Sequence, residues 1–294
     1  MSFALTLTRR NLTIFFRDRA GVFFSILSAL ILIALYAFFL GNLQVKNLQE
    51  HFPHASTQDI TWFVDSWVFA GITMITTLTA SLSALSILVE DKSTDRFKDF
   101  LVSPASKADL ILGYLLSSFA VAVIISSLVA VVGELFLLSQ GYPTVSFGEA
   151  LQILFYIALS SAAFSALASF LVTFLKSSGA FAALSAVIGT LVGFLAGAYI
   201  PPGTLPLNVM SVVNALPFAQ SAMLIRQPFT AQATEKLIQG PGSEQAGEAL
   251  RDFYGITANV ADFQLTDSLA ITILLITSVT FFVFGTYRIR RSIL

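Results

Sequence analysis

The chain has 294 residues, of which 56% are hydrophobic, 13% aromatic and only 11% charged, against about 25% charged in ordinary soluble domains. A net charge of −1 with no extended basic face excludes nucleic acid as a partner. With no cysteine, there is no disulfide framework, thiolate nucleophile or sulfur-ligated metal.

Residues 2–20 are too polar to cross a bilayer. They mix Leu5, Leu12, Phe15 and Phe16 with Arg9, Arg10, Arg17 and Arg19, which suits an amphipathic helix at the inner interface. A basic flank that only sets topology is the plainer alternative. No cleavable signal peptide is evident, because the first apolar run is too long and follows a charged segment.

Six nearly charge-free runs follow: Gly21–Leu40, Ser66–Val89, Leu110–Ser139, Ala150–Leu175, Ser177–Ile200 and Ser268–Tyr287. Each reaches the ~20 apolar residues that a helix needs to cross lipid. The basic residues fall in alternate gaps: the N-terminal arginines, then Lys92, Arg96, Lys98 and Lys107, then Lys176, then Arg288, Arg290 and Arg291. Positive charge stays inside, so both termini are predicted cytoplasmic. The expected fold is therefore an all-α integral membrane protein with six spans. One membrane domain covers 1–294: an interfacial helix at 2–20, five spans within 21–200, an outer segment at 201–266, a sixth span at 267–287 and a tail at 288–294.

Within the second run, Thr73, Thr76, Ala80 and Ser83 lie at helical spacing, with Thr77 beside them. In the fifth, Gly189, Gly193 and Gly197 are four apart. Small residues on one face let helices approach closely, and lining a path is the sharper alternative. Glu134 is the one ionisable group inside the six runs, near the outer end of the third. It serves either as a structural hydrogen-bonding group or as a polar residue of a transport path. His51 and His54 lack an evident third ligand, so no metal site is expected.

The gap at 90–109 carries its own pattern. Ser93 can cap a short helix with Asp95 in its first turn, and Phe97, Phe100 and Leu101 give that helix one apolar face beside Arg96. Pro104 ends it, and Ser106 with Asp109 can begin the third span. Such a helix either docks into a soluble partner or lies on lipid, and the partner is the favoured reading. Between 201 and 266, Pro201, Pro202, Pro206 and Pro217 break an apolar stretch, which argues for short helices dipping into the outer leaflet rather than a seventh span. Two further short helices are expected at Ala231–Gln239 and Ser243–Tyr254.

Three stretches together resemble the permease subunits of type-2 ATP-binding-cassette exporters, the type-G or type-V transmembrane fold. They are Arg10-Asn11-Leu12…Phe16-Arg17-Asp18-Arg19, Glu90-Asp91-Lys92…Phe100-Leu101-Val102-Ser103-Pro104…Ile111-Leu112-Gly113, and Gly197-Ala198-Tyr199-Ile200-Pro201…Leu205-Pro206…Leu216-Pro217. The glycine usual after the acidic residue of the second stretch is replaced by Ser93-Thr94-Asp95. The resemblance covers essentially the whole chain and implies a half-transporter of the plasma (cytoplasmic) membrane. A second copy or related permease would pair with it, and a separate nucleotide-binding ATPase subunit would hold ATP and Mg. Ser93, Arg96, Phe97, Phe100, Leu101 and Pro104 would form the coupling helix. Thr73, Thr76, Thr77, Ser83, Gly189, Gly193 and Gly197 would line the path, and Pro201, Pro206 and Pro217 would shape an outer gate.

The residues themselves agree on one point: the chain has no Gly-x-x-x-x-Gly-Lys-Ser/Thr phosphate loop, so it does not cradle ATP that way. An ATP-driven exporter permease, not catalytic alone and moving an amphipathic or hydrophobic substrate, is the leading expectation. The alternative is a self-contained secondary transporter or channel, which would need ion-coupling groups of its own. A membrane enzyme or scaffold is disfavoured, since no paired carboxylates, metal cluster or nucleophile–base set is visible.

Overall fold

A computed structural model describes residues 3–94, 96, 106–239, 243–261 and 263–292. Among them are six helices long and apolar enough to cross a membrane, and the one sheet is a two-residue hairpin pairing Asn259 and Val260 with Gln264 and Phe263. The protein is an all-α integral membrane protein.

Helix α1 (Phe3–Arg17) lies apart from the first span. It buries Ala4, Leu7, Asn11 and Phe15, spaced three to four residues apart on one face. Leu5 and Phe16, which the sequence pattern also assigned to an apolar surface, stay exposed on other faces. Asp18 separates it from α2 (Arg19–Leu35), with its carboxylate accepting from the Ala20 amide at 3.1 Å. Through a π-helical turn at Tyr36–Leu40, the first span then continues into α3 (Gly41–His51). It is thus one 33-residue helix, longer than its apolar run because α3 is a polar extension packed on the next span.

The second span joins α4 (Thr57–Ala84) to α5 (Ser86–Ser93). It is the hub: 83% of its most apolar window is buried, against 11% for the fifth span. Around it pack α2, α6 (Lys107–Ser139), α7 (Phe147–Val172), α8 (Ser178–Leu195) and α10 (Pro217–Leu237). Apolar contact alone does not hold helices together in lipid, so close polar contacts matter. Ser118 donates to the Ser81 carbonyl at 2.7 Å, and the Ser81 and Ser165 hydroxyls meet at 2.9 Å, tying α6, α4 and α7 together. Ser160 and Ser221 do the same for α7 and α10 at 2.6 Å.

Helix starts follow local chemistry. Ser106 accepts from the Asp109 amide at 3.1 Å, as its spacing predicted. A full capping box stands at Ser146 and Glu149, where the sequence reading placed none. At the other end of the fifth span, Gly197 has φ +60° and the Ala198 amide reaches back to the Gly193 carbonyl at 2.8 Å. That is a left-handed helix stop, which favours glycine.

After the fifth span, Pro202–Thr204 form a 3₁₀ turn, and α9 (Leu207–Asn214) meets α10 at a bend of 84°. Pro206 and Pro217 start these helices, where a missing amide costs nothing. Helix α10 runs unbroken through Pro228 to Leu237, so the separate helix expected at Ala231–Gln239 is its last part instead. Helix α11 (Ser243–Phe253) matches the second short helix, and α12 (Asp267–Ser292) is the sixth span. The second span also starts earlier than its apolar run and so includes Asp59 and Asp65.

Candidate functional site

Two polar clusters stand at opposite ends of the helix bundle. The first joins α1 to the connection between the second and third spans. Arg10 grips Asp91 through two parallel bonds, Nη1 to Oδ2 at 2.7 Å and Nη2 to Oδ1 at 2.9 Å. Tyr114 of α6 donates its hydroxyl to the same Oδ2 at 2.6 Å. Asn11 extends the cluster by donating to Ser117 at 3.3 Å.

Asp91 is only 1% exposed, so its charge is sustained by these donors rather than by water. Its hydrogen bond in turn lifts the Arg10 guanidinium above its ordinary pKa, against the effect of burial. Gly113 makes the seating possible, since a Cβ there would fall 2.8 Å from Leu7 of α1. The bracket therefore ties α1 to the end of α5 and to α6, the two helices that flank residues 95–105 in the sequence. Within that segment, Phe97, Phe100, Leu101 and Pro104 lie outside the described residues. Ser93 does not start a helix: its hydroxyl donates to the Glu90 carbonyl at 3.0 Å, in the last turn of α5. Arg96 stands 3.5 Å from Glu90 in an exposed pair.

The second cluster surrounds Arg226 of α10, which is 1% exposed. Its Nη2 donates to the carbonyls of Ala196 and Gly197 at 2.8 and 2.7 Å, and Nη1 to that of Gly255 at 3.3 Å. The guanidinium carbon lies 5.1 Å from the ring centre of Trp67 on α4. No carboxylate bonds to Arg226 among the described residues. Its charge rests on the carbonyl end of α8 and on the Trp67 π face. Tyr36 of the first span donates toward the Ala198 and Tyr199 carbonyls at 3.0 and 3.1 Å, and Trp67 donates to the Tyr254 carbonyl at 2.7 Å. Two elements, α10 and the first span, are thus fastened to the stop of the fifth span, while Trp67 ties α4 to Tyr254. The sequence reading missed Arg226 and Asp91; an arginine closing an apolar stretch beside prolines was the available signal for Arg226.

The residues predicted to line a path separate. Thr73, Thr76 and Thr77 are fully buried inside the chain, and Thr76 and Thr77 donate to the Ile72 and Met74 carbonyls of their own helix. They point into the hub because α4 is covered on nearly every side, so they do not form an open surface here. Ser83 is half-buried on the same helix. Gly189 faces open space, Gly193 is covered by the Tyr199 ring, and Gly197 lies past the helix end, so the three do not share one use. Pro201 is buried, Pro217 half-buried and Pro206 exposed around the bend. Glu134 accepts from the Val145 amide at 3.2 Å, joining α6 to the loop before α7.

This division sets an expected result. Gly193→Leu has to expel Tyr199, whose hydroxyl holds the Gly189 carbonyl at 3.2 Å, and overpacking of this kind costs about 1–3 kcal/mol. At Gly189 an added Cβ meets nothing within 4 Å. Thermal unfolding in detergent is expected to fall for Gly193→Leu and to hold for Gly189→Leu; equal losses would contradict this placement of α8.

Compared with curated proteins individually, the chain has no significant match. A family model for the ABC-2 type transporter matches residues 3–227, a stretch holding the first five spans, the whole of the first polar cluster and all of the second but Tyr254 and Gly255. The chain belongs to the ABC-2 type transporter family and is a membrane-spanning transport permease.

Proposed function

We propose that this chain is the membrane half of an ATP-driven exporter in the plasma membrane, moving an amphipathic or hydrophobic substrate. It works with a second copy or a related permease, and a separate ATPase subunit binds ATP and Mg and supplies the force. The observation that carries this reading is the bracket of Arg10, Asp91 and Tyr114, which joins α1, α5 and α6 into one platform on both sides, in sequence, of the 95–105 connection. A force applied at that connection reaches the hub through α5 and reaches the third span through α6. The alternating basic gaps support a cytoplasmic position for this platform. The fifth span, with only 11% of its apolar window buried, offers surface for a partner permease. On this reading the path runs along that face, past Ser83 and Gly189, rather than past the enclosed threonines. The bent α9–α10 pair, held by Arg226, is the outer re-entrant gate, and its prolines set the bend.

The test is retention of the ATPase subunit. Phe97 and Phe100 recur at helical spacing, and truncating aromatic anchors costs about 2 kcal/mol or more at an interface, roughly 30-fold in affinity. The double substitution Phe97→Ala with Phe100→Ala is expected to insert normally and to lose the copurifying ATPase. Normal retention and transport would place that aromatic edge on lipid.

A further inference from the structure

At the outer end of the third span, a groove of about 310 Å³ opens between α6 and α7, with Phe229 of α10 at its back. Its rim residues Leu135, Leu138 and Leu154 are about half exposed, at 59%, 51% and 47%. Such side chains on spanning helices are open to lipid wherever no partner covers them. Along α6 the groove runs from Ser127 to Leu138, about 16 Å at 1.5 Å per residue. That is close to half of a ~30 Å hydrocarbon core, the depth of one leaflet.

One charged side chain lines it, Glu134. Oε2 accepts from the Val145 amide, whereas Oε1 is shielded from solvent and has no hydrogen-bond partner. The Ser127 hydroxyl, deeper in the same groove, also lacks a partner. A carboxylate oxygen left without a donor at this depth is costly, and such groups in membranes are usually paired. Among the described residues, no lysine or arginine lines the groove to supply that pairing.

We propose that this groove is a binding site for a hydrophobic primary amine from the outer leaflet. Its alkyl chain lies against Leu135, Leu154 and Phe229, and its ammonium donates to Oε1 of Glu134. An aminophospholipid fits less well, because its phosphate would stand beside Glu134 with no cation in the lining. The inference does not depend on how transport is powered.

The full chain in phosphatidylcholine nanodiscs is labelled with photoactivatable dodecylamine, with dodecanol of the same design, and with a phosphatidylethanolamine carrying the same photoreactive chain. Peptides around Leu135 and Leu154 are expected to take up the amine about 10-fold or more over the alcohol, as a hydrogen bond between charged groups is worth about 1.5–3 kcal/mol. The phosphatidylethanolamine is expected to label no better than the alcohol. Glu134→Gln keeps an acceptor for the Val145 amide and is expected to reduce amine labelling to the alcohol level. Ala150→Trp narrows the groove without touching Glu134, and is expected to lower labelling by both probes. Equal labelling by amine and alcohol, or an amine preference that survives Glu134→Gln, overturns the proposal. So does phosphatidylethanolamine labelling as strong as the amine's, and so does unchanged labelling of Ala150→Trp, which decides the matter if Glu134→Gln does not fold.

Discussion

Arg226→Leu is expected to destabilise the purified chain by about 3 kcal/mol or more, read as thermal unfolding in detergent. Leucine leaves the Ala196, Gly197 and Gly255 carbonyls without their donor in a site closed to water. Each orphaned buried acceptor costs about 1–3 kcal/mol. The fifth span also loses a cation at its carbonyl end, and Trp67 loses its stacked partner; these add up to about 2 kcal/mol each in desolvated settings. Against this, removing a buried guanidinium relieves several kcal/mol of desolvation. The carbonyls decide the balance, because they remain buried whichever side chain replaces arginine. Arg226→Lys retains the charge without the fork that reaches carbonyls on two segments, so an intermediate loss is expected. A leucine variant as stable as the parent would mean that Arg226 does not hold the outer end together.

Arg10→Ala is expected to release α1 while leaving the six spans inserted. Removing one partner of a buried ion pair costs about 3–5 kcal/mol, because the other charge stays buried. Here Arg10 is 31% exposed at its side chain and Tyr114 still donates to Asp91, so about 2–3 kcal/mol is the expected loss. Amides of α1 should then exchange with solvent roughly 30- to 150-fold faster, while those of α4 keep their protection. Hydrogen exchange by mass spectrometry checks this. Unchanged protection in α1 would show that the helix is seated without the Arg10–Asp91 pair.

What the sequence makes legible here is mostly local or periodic. The six apolar runs, the start of the third span at Ser106 and the short helix from Ser243 each depend on neighbours within a few residues. Helical spacing also identified real faces, but it does not say what a face meets. The threonines of the second span share a surface, and that surface turns out to be the packed centre of the chain. Gly193 and Gly197 look like members of one row, yet one accommodates Tyr199 and the other takes the positive φ that stops the helix. The two polar clusters were hidden for a different reason. Arg10 and Asp91 are 81 residues apart, and Arg226 bonds to main-chain carbonyls, which carry no residue-type signal at all. Asp65 escaped notice because the apolar run was drawn from Ser66, while the helix begins at Thr57.

ATP hydrolysis in proteoliposomes tests the central claim most directly, comparing this chain alone with the same chain joined to its copurifying ATPase subunit. The chain alone is expected not to hydrolyse ATP, and the complex is expected to hydrolyse it with nucleotide-dependent substrate movement. Hydrolysis by this polypeptide alone, with contaminants excluded, or substrate movement driven by an ion gradient without nucleotide, would contradict that claim.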